Sequence, residues 1–162
     1  MAEQEALAPL KSLNSNDPTY MSFVNKSGRT AEAWWLNFSG SPVSYGDIQP
    51  GQAMQMNTFQ THPWMFRASD GAKLLVNLGE VYFPTPAQFE DSGYPRFQPV
   101  YVTAPVYTLQ ECCFRLIRSC VRKQDISKLE IPAALRKDLM RTPSLRRDIQ
   151  ILSIKRSIKD SD

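Results

Sequence analysis

One histidine, three cysteines and seven scattered glycines are all that this 162-residue chain has of the residue types from which most metal, nucleophile and phosphate sites are built. A lone His62 cannot supply a zinc set, which needs four Cys, His or acidic ligands at short spacings. Cys112, Cys113 and Cys120 lie close together, and adjacent Cys112 and Cys113 would diverge by about 100° on a helix. An odd, clustered set is not the disulfide framework of a secreted domain, so a reducing compartment is expected. No glycine-rich phosphate loop is present. Neither a catalytic group, a metal site nor a cofactor is therefore expected. Long apolar runs are missing too: nothing approaches the roughly 18 residues of a membrane span. The opening MAEQEALAPL has early acids and no apolar core, which excludes a signal peptide. A soluble, intracellular protein without a membrane partner is expected.

What is present divides into two parts. Hydrophobic residues make up 42% and charged residues 22%, a globular balance able to build a packed core. The net charge of +3 is unevenly spread. Residues 1–103 carry six Lys/Arg against nine Asp/Glu, whereas 104–162 carry thirteen against seven. All seven glycines precede residue 94, and ten of twelve prolines lie at or before Pro105. Turn chemistry is thus concentrated in the first part, and two architectures share one chain.

Residues 1–17 show no periodicity and end in the turn signal Asn16-Asp17-Pro18, so a flexible lead-in is expected, with order beginning near Thr19. Short aromatic or β-branched runs follow at spacings typical of an antiparallel β-sandwich: 20–25, 31–38, 52–59, 64–67, 74–78, 81–83 and 99–103. In the 33–38 run, a period of two places Trp34, Leu36 and Phe38 on one face, read as core, and Trp35 with Asn37 on the other. A large aromatic on the wrong face either packs under a loop or lines a site.

After Pro105 the period changes. Leu109, Cys112, Cys113, Leu116, Ile117, Cys120 and Val121 form one apolar helical stripe, with Arg115, Arg118 and Arg122 off it. Thr108 and Glu111 make a capping box at its start. A short helical stretch at 125–129 is expected next, then a helix opened by Pro132 and carrying Leu135 and Leu139. A last helix after Thr142-Pro143 would carry Leu145, Ile149 and Leu152. The fold class expected is α+β: a flexible 1–17, a β-sandwich over 18–104, a small α domain over 105–142, and a C-terminal helix over 143–158.

Binding chemistry is better represented than catalysis. Trp35, Tyr45, Thr58, His62 and Trp64 combine aromatic walls with a phenol, a hydroxyl and an imidazole, the make-up of a small selective pocket. On sequence alone, aromatics this dense in strands are more often sandwich core than site. The wide stripe of the Leu109 helix is either packed on the sandwich or covered by something outside the chain, since residues 106–141 are too few to bury their own apolar surface. The basic residues are most simply a solvated face, and without interleaved aromatics they do not point to nucleic acid.

Trp35-Leu36-Asn37-Phe38, Tyr45, His62-x-Trp64-x-Phe66-Arg67, Leu74-Leu75-Val76-Asn77 and Pro105-Val106-Tyr107-Thr108-Leu109 together resemble the von Hippel-Lindau tumour suppressor family over about residues 10–155. The resemblance implies a β-sandwich, a three-helix α domain and a final helix that returns to the sandwich. It also implies the substrate receptor of a cullin-RING ubiquitin ligase, non-catalytic and acting in cytoplasm and nucleus. Elongin C would dock on Thr108, Leu109, Cys113, Leu116 and Ile117, bringing elongin B. A cullin box, Ile131, Pro132, Leu135 and Leu139, would meet a cullin-2-type scaffold with its RING-box protein. Trp35, Tyr45, Thr58, His62 and Trp64 would hold prolyl-hydroxylated hypoxia-inducible factor alpha, with Met54, Met56, Asn57 and Phe59 as the rim for flanking peptide. Thr58 stands where the family usually has serine. Met54, Asn57 and Phe59 stand where arginine, histidine and tyrosine are common, and Gly46 replaces a proline. A hydroxyl-reading centre with an altered rim also fits a paralogue that competes for hydroxyproline peptide, or takes another substrate, without efficient ubiquitylation.

Overall fold

The computed structural model describes residues 9–160, and residues 1–8 of the expected lead-in lie outside it. Among the described residues nine strands precede three α-helices: β1 (Pro18–Asn25), β2 (Ala31–Leu36), β3 (Pro42–Ile48), β4 (Ala53–Phe59), β5 (Trp64–Ala68), β6 (Leu75–Val76), β7 (Gln88–Phe89), β8 (Pro95–Arg96), β9 (Gln98–Thr103), α1 (Leu109–Cys120), α2 (Ala133–Met140) and α3 (Leu145–Asp160). A 3-10 helix, Lys123–Lys128, separates α1 from α2. The chain forms two compact units: Pro105–Pro143 is one, and the described residues up to Ala104, together with Ser144 onward, are the other.

The β unit contains a four-stranded sheet ordered β4-β1-β9-β6 and a three-stranded sheet ordered β3-β2-β5, with β7 and β8 as a separate hairpin. Neighbours pair antiparallel except β1 with β9, which run parallel. Alternation along the strands sends Met21, Phe23, Ala31, Ala33, Trp64, Phe66, Val100 and Val102 into one core, all of them buried. Phe23 sits among the rings of Trp64, Phe66 and Tyr82 at centroid separations of 5.3, 5.0 and 6.4 Å, a tilted-to-edge packing that aromatic quadrupoles favour.

The second face of the three-stranded sheet is apolar as well. Leu36 and Met65, both fully buried, pack with Leu10 and with Ile149 of α3, flanked by Trp34, Leu145 and Leu152. Every residue of β5 is consequently buried. Arg67, 2% exposed, bonds the Phe66 carbonyl at 2.8 Å and Asp148 of α3 at 2.9 Å. The expected assignment of faces in β2 is thereby corrected. Ala31, Ala33 and Trp35 face the sandwich interior, whereas Trp34 and Leu36 face α3. Phe38 lies beyond the strand and is 51% exposed. Two apolar faces on one strand cannot be ranked by periodicity alone, because a helix covers the side that water would otherwise take.

Two further expectations change. The 81–83 run is no strand; Tyr82 makes an isolated bridge with Trp64, exchanging two backbone bonds of 2.9 Å. Order begins well before Thr19: Leu10 is 7% and Ser12 2% exposed. In the other unit, α1 has the expected capping box, Thr108 Oγ1 accepting from the Glu111 N–H at 3.1 Å and Glu111 accepting from the Thr108 N–H at 2.7 Å. Ile126 and Leu139 are its buried apolar residues. Arg118, expected off the apolar stripe and solvated, instead donates to the carbonyls of Leu139 and Arg141, both at 3.1 Å, closing the C-terminal end of α2.

Candidate functional site

β3 and β4 each form one edge of their sheet and are consecutive in the chain. The five candidate residues cluster between them and the 60–63 loop. Trp35 and Trp64 are direct cross-strand partners on β2 and β5. On β4, even positions face inward, so Thr58 is 3% exposed and its hydroxyl oxygen accepts from Trp64 Nε1 at 3.1 Å. Tyr45 arrives by a different device. Glu32 pairs with Asp47 but Trp34 with Ser44, so Ala33 opposes two residues, Tyr45 and Gly46. Gly46 takes a φ of 98°. This bulge reverses the alternation set by buried Ile48 and turns Tyr45 inward, where its ring lies 5.1 Å from Trp64 and 6.1 Å from Trp35.

His62 stacks on Trp35 at 5.2 Å with an interplanar angle of 27°. Phe38 and Phe59 enclose it at 5.5 and 4.9 Å. Its Nε2 lies 3.0 Å from the Asn14 carbonyl, which only accepts, so Nε2 carries the proton and Nδ1 is the acceptor. Burial lowers the His62 pKa from its ordinary value, with the Asn14 carbonyl pulling the other way, so the ring is neutral at pH 7. The arrangement therefore offers aromatic walls, a hydroxyl able to donate and an imidazole nitrogen able to accept. Among the described residues no group of three or more His, Cys, Asp or Glu could hold a metal ion, and no helix is long and apolar enough to cross a membrane.

The α1 helix has no buried residue: Leu109 is 81% and Leu116 65% exposed, Cys113 is exposed and Ile117 half-buried. Residues 10–90 match the VHL beta domain, and residues 107–155 match the VHL box domain. The chain belongs to the VHL family. It is similar to Protein Vhl of Drosophila melanogaster, 26% identical over 134 residues, covering 75% of each chain.

Within the VHL box the expected residues are placed unequally. Thr108 is the N-cap of α1, and Pro132 is the N-cap of α2, one residue before the expected helix position. Ile131 and Leu135 are half-buried, while Leu139 is completely buried. Leu139 is thus packing inside its unit, not contact surface. In the VHL beta domain the rim also divides: Met54 and Met56 pack against the sandwich core, Asn57 is exposed on the opposite face, and Phe59 joins the His62 cluster.

Sequence reading gave no site role to Ser12, Asn14, Thr61 or Phe38. Ser12 Oγ accepts from Trp35 Nε1 at 2.8 Å and donates to the Leu36 carbonyl at 2.7 Å. The Asn14 carbonyl accepts from both Thr61 and His62. In Leu10-Lys11-Ser12-Leu13-Asn14-Ser15 the inward positions are 10, 12 and 14, two of them polar. A strand-like alternation was present, but not in hydrophobicity.

Proposed function

We propose that this chain is the substrate-recognition subunit of an elongin-cullin-RING ubiquitin ligase that binds a hydroxyproline-bearing peptide, of which hydroxylated hypoxia-inducible factor alpha is the type. The convergence of Trp35, Tyr45, Thr58, His62 and Trp64 at the sandwich edge, in a chain that also carries a VHL box, carries this reading. The aromatic rings would hold a pyrrolidine ring. A 4-hydroxyl would donate to His62 Nδ1 and accept from Thr58. Unmodified proline would leave both groups without a partner at about 1–3 kcal/mol each, giving selection of tens to thousands of fold. The free edge of β4 would pair with the extended peptide, and its main-chain bonds would supply affinity that the Met54 and Met56 side chains do not.

Recruitment would pass through α1. Leu109 and Cys113 stand one helical turn apart on the exposed side and would enter a groove of elongin C, accompanied by Leu116 and Ile117; elongin B would follow. Ile131, Pro132 and Leu135 would face a cullin-2-type scaffold carrying a RING-box protein, with Leu139 holding α2 in place from within. Burying Leu109 contributes about 1.5–3 kcal/mol. Ubiquitin transfer would belong to the RING subunit and its E2 enzyme.

Titration of matched proline and 4-hydroxyproline peptides tests the pocket, with a preference of at least tenfold for the hydroxylated peptide expected. Equal affinities would sink the receptor reading. Co-purification tests recruitment: Leu109→Ala should remove elongin C while leaving the chain's own stability unchanged, because that side chain is already 81% exposed. The exposed Asn57 and core-packed Met54 and Met56 also favour a second reading, a hydroxyproline-peptide competitor that takes its ligand without efficient ubiquitylation. Peptide capture without elongin co-purification would select it.

A further inference from the structure

A strap of residues outside both sheets, 10–15, runs along the pocket and bonds two of its members. Ser12 is 2% exposed, and its one hydroxyl hydrogen is committed to the Leu36 carbonyl. A lone pair must therefore accept from Trp35 Nε1, which fixes the direction of that 2.8 Å bond. The Ser12 N–H is also used, donating to the Asn37 carbonyl at 3.1 Å.

Two residues further on, the strap is clamped again. Thr61 Oγ1 donates to the Asn14 carbonyl at 2.9 Å and accepts from the N–H groups of Asn14 and Leu13 at 3.1 and 3.3 Å. Its neighbour His62 donates to the same carbonyl, with the Ser15 hydroxyl 3.4 Å from that ring nitrogen. The stacked pair Trp35 and His62 is thus held from one side by Ser12 and Asn14. Leu10, buried among Leu36, Met65 and Ile149, anchors the segment's start.

We infer that the 10–15 strap is a working part of the binding site, with Ser12 and Thr61 as positioning residues: Ser12 sets the Trp35 ring, and Thr61 holds the carbonyl that keeps His62 in its Nε2–H form. This rests on the reading that the site takes a hydroxylated ligand. The choice of tautomer decides ligand chemistry, because a ring protonated at Nε2 leaves Nδ1 to accept, and the ligand's hydroxyl must then donate. The Nδ1–H form would present a donor instead, and the ligand hydroxyl's hydrogen would lose its acceptor on the ring.

His62 is the chain's one histidine, so a full-length chain labelled with ¹⁵N-histidine gives one imidazole pattern and needs no ligand to read it. The wild type should show the Nε2–H pattern. Thr61→Val, close in shape but lacking the hydroxyl, should give a mixed pattern and lower the hydroxyproline-over-proline affinity ratio about tenfold; Thr61→Ser should restore both. Ser12→Ala should speed exchange of the Trp35 indole N–H and leave that of Trp64, bonded to Thr58, unchanged. A wild-type ring protonated at Nδ1 overturns the inference even if every variant fails to fold. So does a folded Thr61→Val that keeps both the Nε2–H pattern and the wild-type ratio. If the wild type shows no preference for hydroxylated peptide, the receptor reading fails, and the ring pattern still reports on the strap separately.

Discussion

Gly46 shows how one residue decides which side chains meet in a cluster. A Cβ built there meets no atom within 4 Å, so a side chain would be resisted by its backbone angle of 98° and not by a clash. Gly46→Val should cost about 1–2 kcal/mol in denaturant unfolding and weaken peptide binding by turning Tyr45 off the inner face. Thr58 is tested by a pair of substitutions. Thr58→Ala strands the buried Trp64 indole N–H, at about 1–3 kcal/mol, and should lower hydroxyl selection to the part that His62 supplies, whereas Thr58→Ser should keep it whole. His62 predicts a pH response. Its folded-state pKa is depressed, so just below the ordinary value of about 6.5 the unfolded chain binds more protons than the folded one. Its contribution to stability is complete above that value and is lost as pH falls toward the depressed one. Unfolding midpoints at pH 7.5 and 5.5 should therefore differ more in the wild type than in His62→Gln. Binding of a hydroxyl should weaken lower still, as pH falls through the depressed folded-state value, because an imidazolium has no acceptor. Tyr45 and His62 could be picked out from the sequence as members of one aromatic cluster, through residue type and resemblance. The bulge that turns one and the carbonyl that orients the other could not, since neither a register shift nor a main-chain acceptor leaves a compositional mark.

At the scale of elements, readability followed hydrophobic contrast. α1 was plain from its stripe and capping box, and β1, β4 and β9 from alternation against a buried face. β3 was missed because Pro42, Ser44, Gly46 and Asp47 are poor strand formers and it lies at a sheet edge, where side chains need not be apolar. β2 was found, but with its faces exchanged. That error has a structural cause in α3, which makes both sides of its sheet interior. The junction of α3 with that sheet can be tested through Arg67. Asp148→Ala would leave this guanidinium, whose side chain is 3% exposed, without its counter-charge. A loss of about 2 kcal/mol is expected by thermal or denaturant unfolding. This is less than the 3–5 kcal/mol of a fully buried pair, because the Asp148 side chain is 30% exposed.

Over the whole molecule, the charge asymmetry lies near residue 104, where the first segment of one compact unit stops at Ala104. Charge did not mark the second boundary. Arg146, Arg147, Lys155, Arg156 and Lys159 continue the basic run, although their helix belongs with the β strands. Chain order and unit membership therefore differ: Pro105–Pro143 is an insertion between two parts of a single body. A chain truncated after Pro143 would keep the Pro105–Pro143 unit but lose the 144–155 end of the VHL box match, and should bind a hydrophobic dye and aggregate, since Leu36 and Met65 would lose their cover. The same topology sets a schedule during synthesis. The strands emerge first, and their second apolar face waits for α3 while the inserted unit is translated, roughly 2–8 s at 5–20 residues per second. A nascent chain thus passes through an interval in which the sandwich strands exist without their helical cover, a window open to chaperones or to misassembly that the finished protein no longer displays.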